Sequence, residues 1–135
     1  MLSIKCVIHS YRRYDSVGNS QYIKEQRIKD YEYDPETVDL LSDIDKVAII
    51  MHHYGIEKQL PILCEECAEL IQQACKCQRR GQIMHYDFIE ELADVKIMIA
   101  QFELALTVAD RRTLSEIIKQ KLNRQLERIA DEKHA

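Results

Sequence analysis

Leu2, Ile4, Cys6 and Ile8 alternate with Ser3, Lys5, Val7 and His9. A period of two predicts a strand. Gly18-Asn19 marks a turn, and Gln21 to Tyr33 fits a returning strand or a short helix equally well. Residues 1–33 thus form an N-terminal appendage, to which a short β-hairpin is open. They hold five of the seven Tyr and carry a charge of 6 − 4 = +2. That composition suits a packing arm better than a substrate lid.

The period changes after residue 33. Asp34-Pro35 pairs a capping oxygen with Pro at a first helical position. One or two short helices then run to His53 on Leu40, Leu41, Ile44, Val47, Ala48 and Met51, and Gly55 stops them. A second helix is predicted from Glu57 to Arg80. Its stripe is Leu60, Leu63, Cys64, Cys67, Leu70, Ile71 and Ala74, with Pro61 in its first turn and Gly81 at its end. Asp87 and Glu90 signal a third start, followed by Phe88, Leu92, Val95, Ile99 and Phe102. Thr113 and Glu116 signal a fourth, followed by Leu114, Ile117, Ile118, Leu122, Leu126 and Ile129. Short connections make successive helices antiparallel. The expected fold is all-α, a four-helix-bundle-like core over residues 34–135.

Composition narrows the class. The 135 residues suit one domain, and 46% hydrophobic with 31% charged excludes a disordered chain. Three Gly and two Pro are few for an all-β fold. The net charge is 19 − 23 = −4, without the basic footprint of a DNA or RNA binder. The longest run free of charged residues, Val47 to Ile56, is too short to span a bilayer, so no membrane partner is expected. The N-terminus lacks the apolar core of a secretory signal. Five Cys, an odd number, then read as reduced thiols of a cytoplasmic protein. Cys64, Cys67, Cys75 and Cys77 all fall in one predicted helix, which cannot wrap four ligands around a zinc ion.

The acidic residues carry the chemistry. Glu66 and Glu69 lie three apart on the second helix, and Glu91 and Asp94 do so on the third. That spacing puts each pair on one helix face. If the two helices pack antiparallel, four carboxylates converge and repel, and a hard divalent cation relieves the repulsion. Such pairs also occur on solvated faces, so the pattern alone leaves both readings open. On the fourth helix, Lys121, Arg124 and Arg128 form one line beside the apolar stripe. Their heads can hold phosphate oxygens, or their stems can simply pack on the core.

The segment from His53 to Ile129 resembles the MazG-like all-α nucleoside triphosphate pyrophosphohydrolases, the group that includes dimeric dUTPases and dCTP pyrophosphatases. The signature E-x-x-E, spacer, E-x-x-D reads here as Glu66 and Glu69, 21 residues, then Glu91 and Asp94. The words HYGIEKQL, EECAEL, QRRG, EELADVKIMIAQ and KLNRQLERI fit around it. The resemblance implies Mg2+-dependent hydrolysis of a nucleoside triphosphate between its α and β phosphates, with Mn2+ as an alternative ion. It implies Glu66, Glu69, Glu91 and Asp94 as metal ligands, and Lys121, Arg124 and Arg128 as triphosphate holders. Glu65 or Glu90 is the candidate general base, and His53, Tyr54 and Gln59 are candidates for the base and ribose. Some relatives carry a Lys where this chain has Asp87, read here as a cap. Ile89, Ala93, Ile97 and Ala100 lie outside the main stripe of the third helix and point to a homodimer or homotetramer. The rival from another class is a non-catalytic helical interaction module of the same fold.

Overall fold

A computed structural model describes Ile28 and residues 31–134. Apart from Ile28 and Tyr31–Tyr33, the N-terminal appendage with its expected strand and hairpin lies outside the described residues. The rest is helical, and no strand occurs among the described residues. A 3-10 turn at Val38–Leu40 precedes α1 (Asp43–Tyr54), α2 (Ile56–Arg80), α3 (Tyr86–Ala105) and α4 (Val108–His134). The all-α expectation therefore holds. The chain divides into two compact units, Met1–Ala105 and Leu106–Ala135. The first contains α1, α2 and α3, which pack on one another. The second is α4.

Local hydrogen bonds set where each helix starts. Asp34 does begin a turn: its Oδ1 accepts from the Glu36 amide at 2.9 Å and its Oδ2 from the Thr37 hydroxyl at 2.8 Å. The α-helix proper starts later, where Ser42 Oγ accepts from the Asp45 amide. At α3 the cap is His85, not Asp87. Its carbonyl accepts from the Ile89 amide, and its ring Nδ1 lies 3.4 Å from the Asp87 amide. At α4 the start predicted at Thr113 moves to Thr107. The Thr107 hydroxyl accepts from the Asp110 amide at 3.1 Å, and the Asp110 carboxylate accepts from the Thr107 amide at 3.3 Å. That reciprocal pair is a capping box. Thr113 instead donates to the Ala109 carbonyl inside the helix.

Glycines end α1 and α2 as expected. Gly81 is left-handed (φ 67°), and the Gln82 amide reaches back to the Cys77 carbonyl at 3.1 Å. Gly55 (φ 82°) ends α1 and starts α2 at once: its amide donates to Met51 and its carbonyl accepts from Lys58 and Gln59. Because α2 starts at Ile56, Pro61 lies in the second turn rather than the first. Both Pro61 and Glu57 are exposed, so water can serve the carbonyl that Pro61 cannot.

The core cluster is Ile28, Ala48, Met51 and Leu104, with Ile44, Val47, Ile49, Ile56 and Ala105 packed against it. It sits at the joint of α1 with α2 and at the C-terminal end of α3. The inward lines of α2 and α3 differ from the expected stripes. On α2, Leu63, Cys67 and Leu70 of the expected stripe are sheltered, as are Gln59, Glu66, Gln73 and Cys77, while Leu60, Cys64, Ile71 and Ala74 are exposed. On α3, Val95, Met98, Gln101 and Leu104 are buried, while Leu92 and Ile99 are exposed. Polar residues at regular intervals along each seam rotate the contact away from the most apolar face.

Gln101 is the most enclosed of them, at 1% exposure. Its Nε2 meets Met98 Sδ at 3.4 Å, and its Oε1 has no partner. A buried acceptor without a donor costs about 1–3 kcal/mol. Gln101→Met keeps the volume and removes that acceptor. Chemical denaturation is expected to show a variant more stable by about 1 kcal/mol. A loss of stability instead would mean that the amide has a donor.

Candidate metal centre

The register of α2 against α3 brings the acids together. Glu66 of α2 approaches both Glu91 and Asp94 of α3, and the short connector from Gly81 to His85 turns one helix back along the other. The two packed helices are therefore antiparallel. Gln59 on α2 and Gln101 on α3 are the two buried polar residues among those described. Gln59 and Glu66 are seven residues apart, about 10 Å along the axis. The seam therefore has an amide level at the core end and a carboxylate level two turns away.

One carboxylate oxygen each from Glu66, Glu91 and Asp94 lies within 4.8 Å of the other two. All three side chains are half-buried. Glu69, one turn along α2 from Glu66, is exposed, and its charge acts on both Glu66 and Glu91. The expected four-acid site thus appears as a close triad with a fourth acid at its rim. Of the candidate bases, Glu65 and Glu90 are both exposed.

The proximity has an electrostatic signature. Partial desolvation, then the charges of Asp94, Glu69 and Glu65, hold the Glu66 carboxyl above its ordinary value of 4.5. Glu91 is also raised, first by desolvation and then by Glu69. The Glu69 charge opposes its ionisation, and Glu69 accepts a hydrogen bond from its protonated form. Asp94 and Glu66 add to the effect. Glu66 and Glu91 therefore stand in a region of excess negative potential. The donor set is all hard oxygen, which fits Mg2+ or Mn2+ and not a thiophilic ion.

The remaining candidates have other surroundings. Gln59 is buried in the first turns of α2. His53 and Tyr54 are exposed in the last turn of α1, their rings edge-to-face at 4.7 Å. Lys121, Arg124 and Arg128 are exposed on α4, which belongs to the second unit. The thiols of Cys64, Cys67, Cys75 and Cys77 are free, and Cys6 lies outside the described residues. No helix among the described residues is long and apolar enough to cross a membrane. Gln101 was not apparent as a seam residue from the hydrophobic pattern. Its one available signal was the spacing of seven from Asp94, matching that of Gln59 from Glu66.

No family model, no curated protein and no solved structure matches this chain. The carboxylate geometry therefore stands on the chain's own chemistry.

That chemistry fixes a sign for the pH dependence. Glu66 and Glu91 have folded-state pKa values above 4.5, so the folded chain holds protons that the unfolded chain has already released. Their contribution to the stability of the metal-free protein is present at low pH and is lost as pH rises through the folded values. Glu91→Gln removes its part of that loss. In chelator, thermal melting should show the variant above the parent at pH 7, with the gap closing as pH falls toward 4.5. A variant less stable at pH 7 would contradict the repulsion.

Proposed function

We propose that this chain is a Mg2+-dependent nucleoside triphosphate pyrophosphohydrolase. It would convert an NTP or dNTP, canonical or modified, into the monophosphate and pyrophosphate. The observation that carries this reading is the meeting of Glu66, Glu91 and Asp94 across the α2–α3 seam. The resemblance of the paired motif and its flanking words to the MazG-like group supplies the reaction.

In this proposal Glu66, Glu91 and Asp94 hold the ion, with Glu69 completing the set. Bound there, a divalent cation offsets charge on the phosphate oxygens. A water oxygen bonds to the α phosphorus, and the bond from that phosphorus to the α–β bridging oxygen breaks. Pyrophosphate leaves with the electron pair. Glu65 or Glu90, each exposed and adjoining a proposed ligand, takes the water's proton. In the same reading the exposed His53 and Tyr54, in the last turn of α1, contact the base and ribose.

Self-association in the cytoplasm, as a homodimer or homotetramer, belongs to the same reading. Ile89, Leu92, Ile97 and Ile99 are exposed on different sides of α3. Exposed apolar side chains on more than one side of a helix offer surface that a second copy would cover. The non-catalytic module is the second reading, favoured by the exposed Ile117, Ile118, Leu122, Leu126 and Ile129 of α4.

Pyrophosphate release across NTPs and dNTPs, with melting curves in parallel, separates the two. At Mg2+ a hundredfold above Kd, stability should rise by about 2.7 kcal/mol, roughly 10 °C in Tm for a chain of this size. Glu91→Gln should abolish both that rise and the release. No release from any substrate, with Tm indifferent to Mg2+, would leave the interaction module.

A further inference from the structure

The α2–α3 hairpin has a second distinctive end. Its connector and the start of α3 carry Ile83, Met84 and Tyr86, exposed by 76%, 71% and 72%. These are among the most exposed large apolar side chains described. Immediately before them, the last turns of α2 carry Lys76, Arg79 and Arg80. Residues 76–87 hold three basic groups and one acidic, or +2, in a chain whose net charge is −4. The patch is opposite in sign to the protein that bears it.

Its position matters as much as its composition. The hydrophobic core lies at the other end of the hairpin, around Met51, Ile56 and Leu104. From Gln59, at the core end, to Gly81 is about 33 Å along α2 at 1.5 Å per residue. Three bulky exposed side chains beside a basic collar, at the turn of a two-helix hairpin, form a small amphipathic patch at the end away from the core. A folded partner would need a matching surface. A lipid interface accepts such a patch without one. Tyr suits the headgroup level, Ile and Met reach below it, and Lys and Arg stems extend while their heads meet anionic phosphates.

The geometry points to the Ile83-Met84-Tyr86 tip, with Lys76, Arg79 and Arg80, as a peripheral docking surface for an anionic phospholipid membrane. This departs from the expectation of no membrane partner, which rested on the lack of a spanning segment. Surface attachment requires none. The carboxylates of α2 and α3 take no part in it.

The test is cosedimentation of the full chain with phosphatidylcholine vesicles, with and without phosphatidylserine. Chelator keeps divalent cations from bridging the carboxylates to lipid. The chain should bind phosphatidylserine vesicles at low salt, and at least about tenfold less well to phosphatidylcholine alone. Ile83→Asp with Met84→Asp should lower binding by a similar factor, as should Arg79→Glu with Arg80→Glu, while circular dichroism and Tm remain those of the parent. Absence of binding to phosphatidylserine vesicles overturns the proposal. So does binding that both double variants retain. So does a fall in solution mass in the Ile83→Asp, Met84→Asp variant without loss of lipid binding, which would make the tip a contact between copies.

Discussion

Mutual repulsion between carboxylates across the α2–α3 seam sets the terms for the first unit. Glu66 and Asp94 meet where two packed helices ordinarily place Leu, and Glu69 and Glu91 meet one turn away. Desolvation and like charge both oppose ionisation there, which is why the Glu66 and Glu91 carboxyls titrate above their ordinary value. The seam therefore cannot be the source of the fold's stability at this level. That role passes to the cluster of Ile28, Ala48, Met51 and Leu104 at the core end. The apolar layer holds the helices in register, and the register holds the acids in proximity.

This separation along one hairpin gives each level its own chemistry. The apolar layer excludes water, and the amide level of Gln59 and Gln101 follows it. Two turns on, the carboxylates are only half-buried, so an ion and a polar ligand can approach from solvent. The basic, apolar tip lies furthest out. An antiparallel pair is suited to such an arrangement because residues near one end of α2 always face residues near the other end of α3.

The existence and type of the helices were legible because periods of three and four persist from Asp43 onward. Gly55 and Gly81 ended helices where the sequence placed the stops, since a positive φ leaves little choice of residue. The acid pairs were legible for a similar reason, because spacing of three survives small errors in helix boundaries. The facing lines were not. Hydrophobicity ranked Leu60, Ile71, Leu92 and Ile99 as inward, whereas Gln59, Gln73 and Gln101 hold sheltered places. A pattern that counts only apolar residues cannot see a seam built partly from amides and acids. The starts of α3 and α4 were misplaced because Asp87 and Thr113 match cap spacings that His85 and Thr107 satisfy first.

The joint at Gly55 bears on how freely this sequence can drift. With φ 82° and ψ 142°, its backbone lies near a region that glycine alone occupies comfortably. No atom stands within 4 Å of where a Cβ would go, so crowding is not the barrier. Gly81, at φ 67° and ψ 19°, sits in the left-handed basin that Asn also tolerates. Two glycines that look equivalent in the alphabet thus have unequal latitude. In variants of this chain Asn can replace Gly81, whereas position 55 should remain invariant wherever α1 and α2 keep their one-residue elbow.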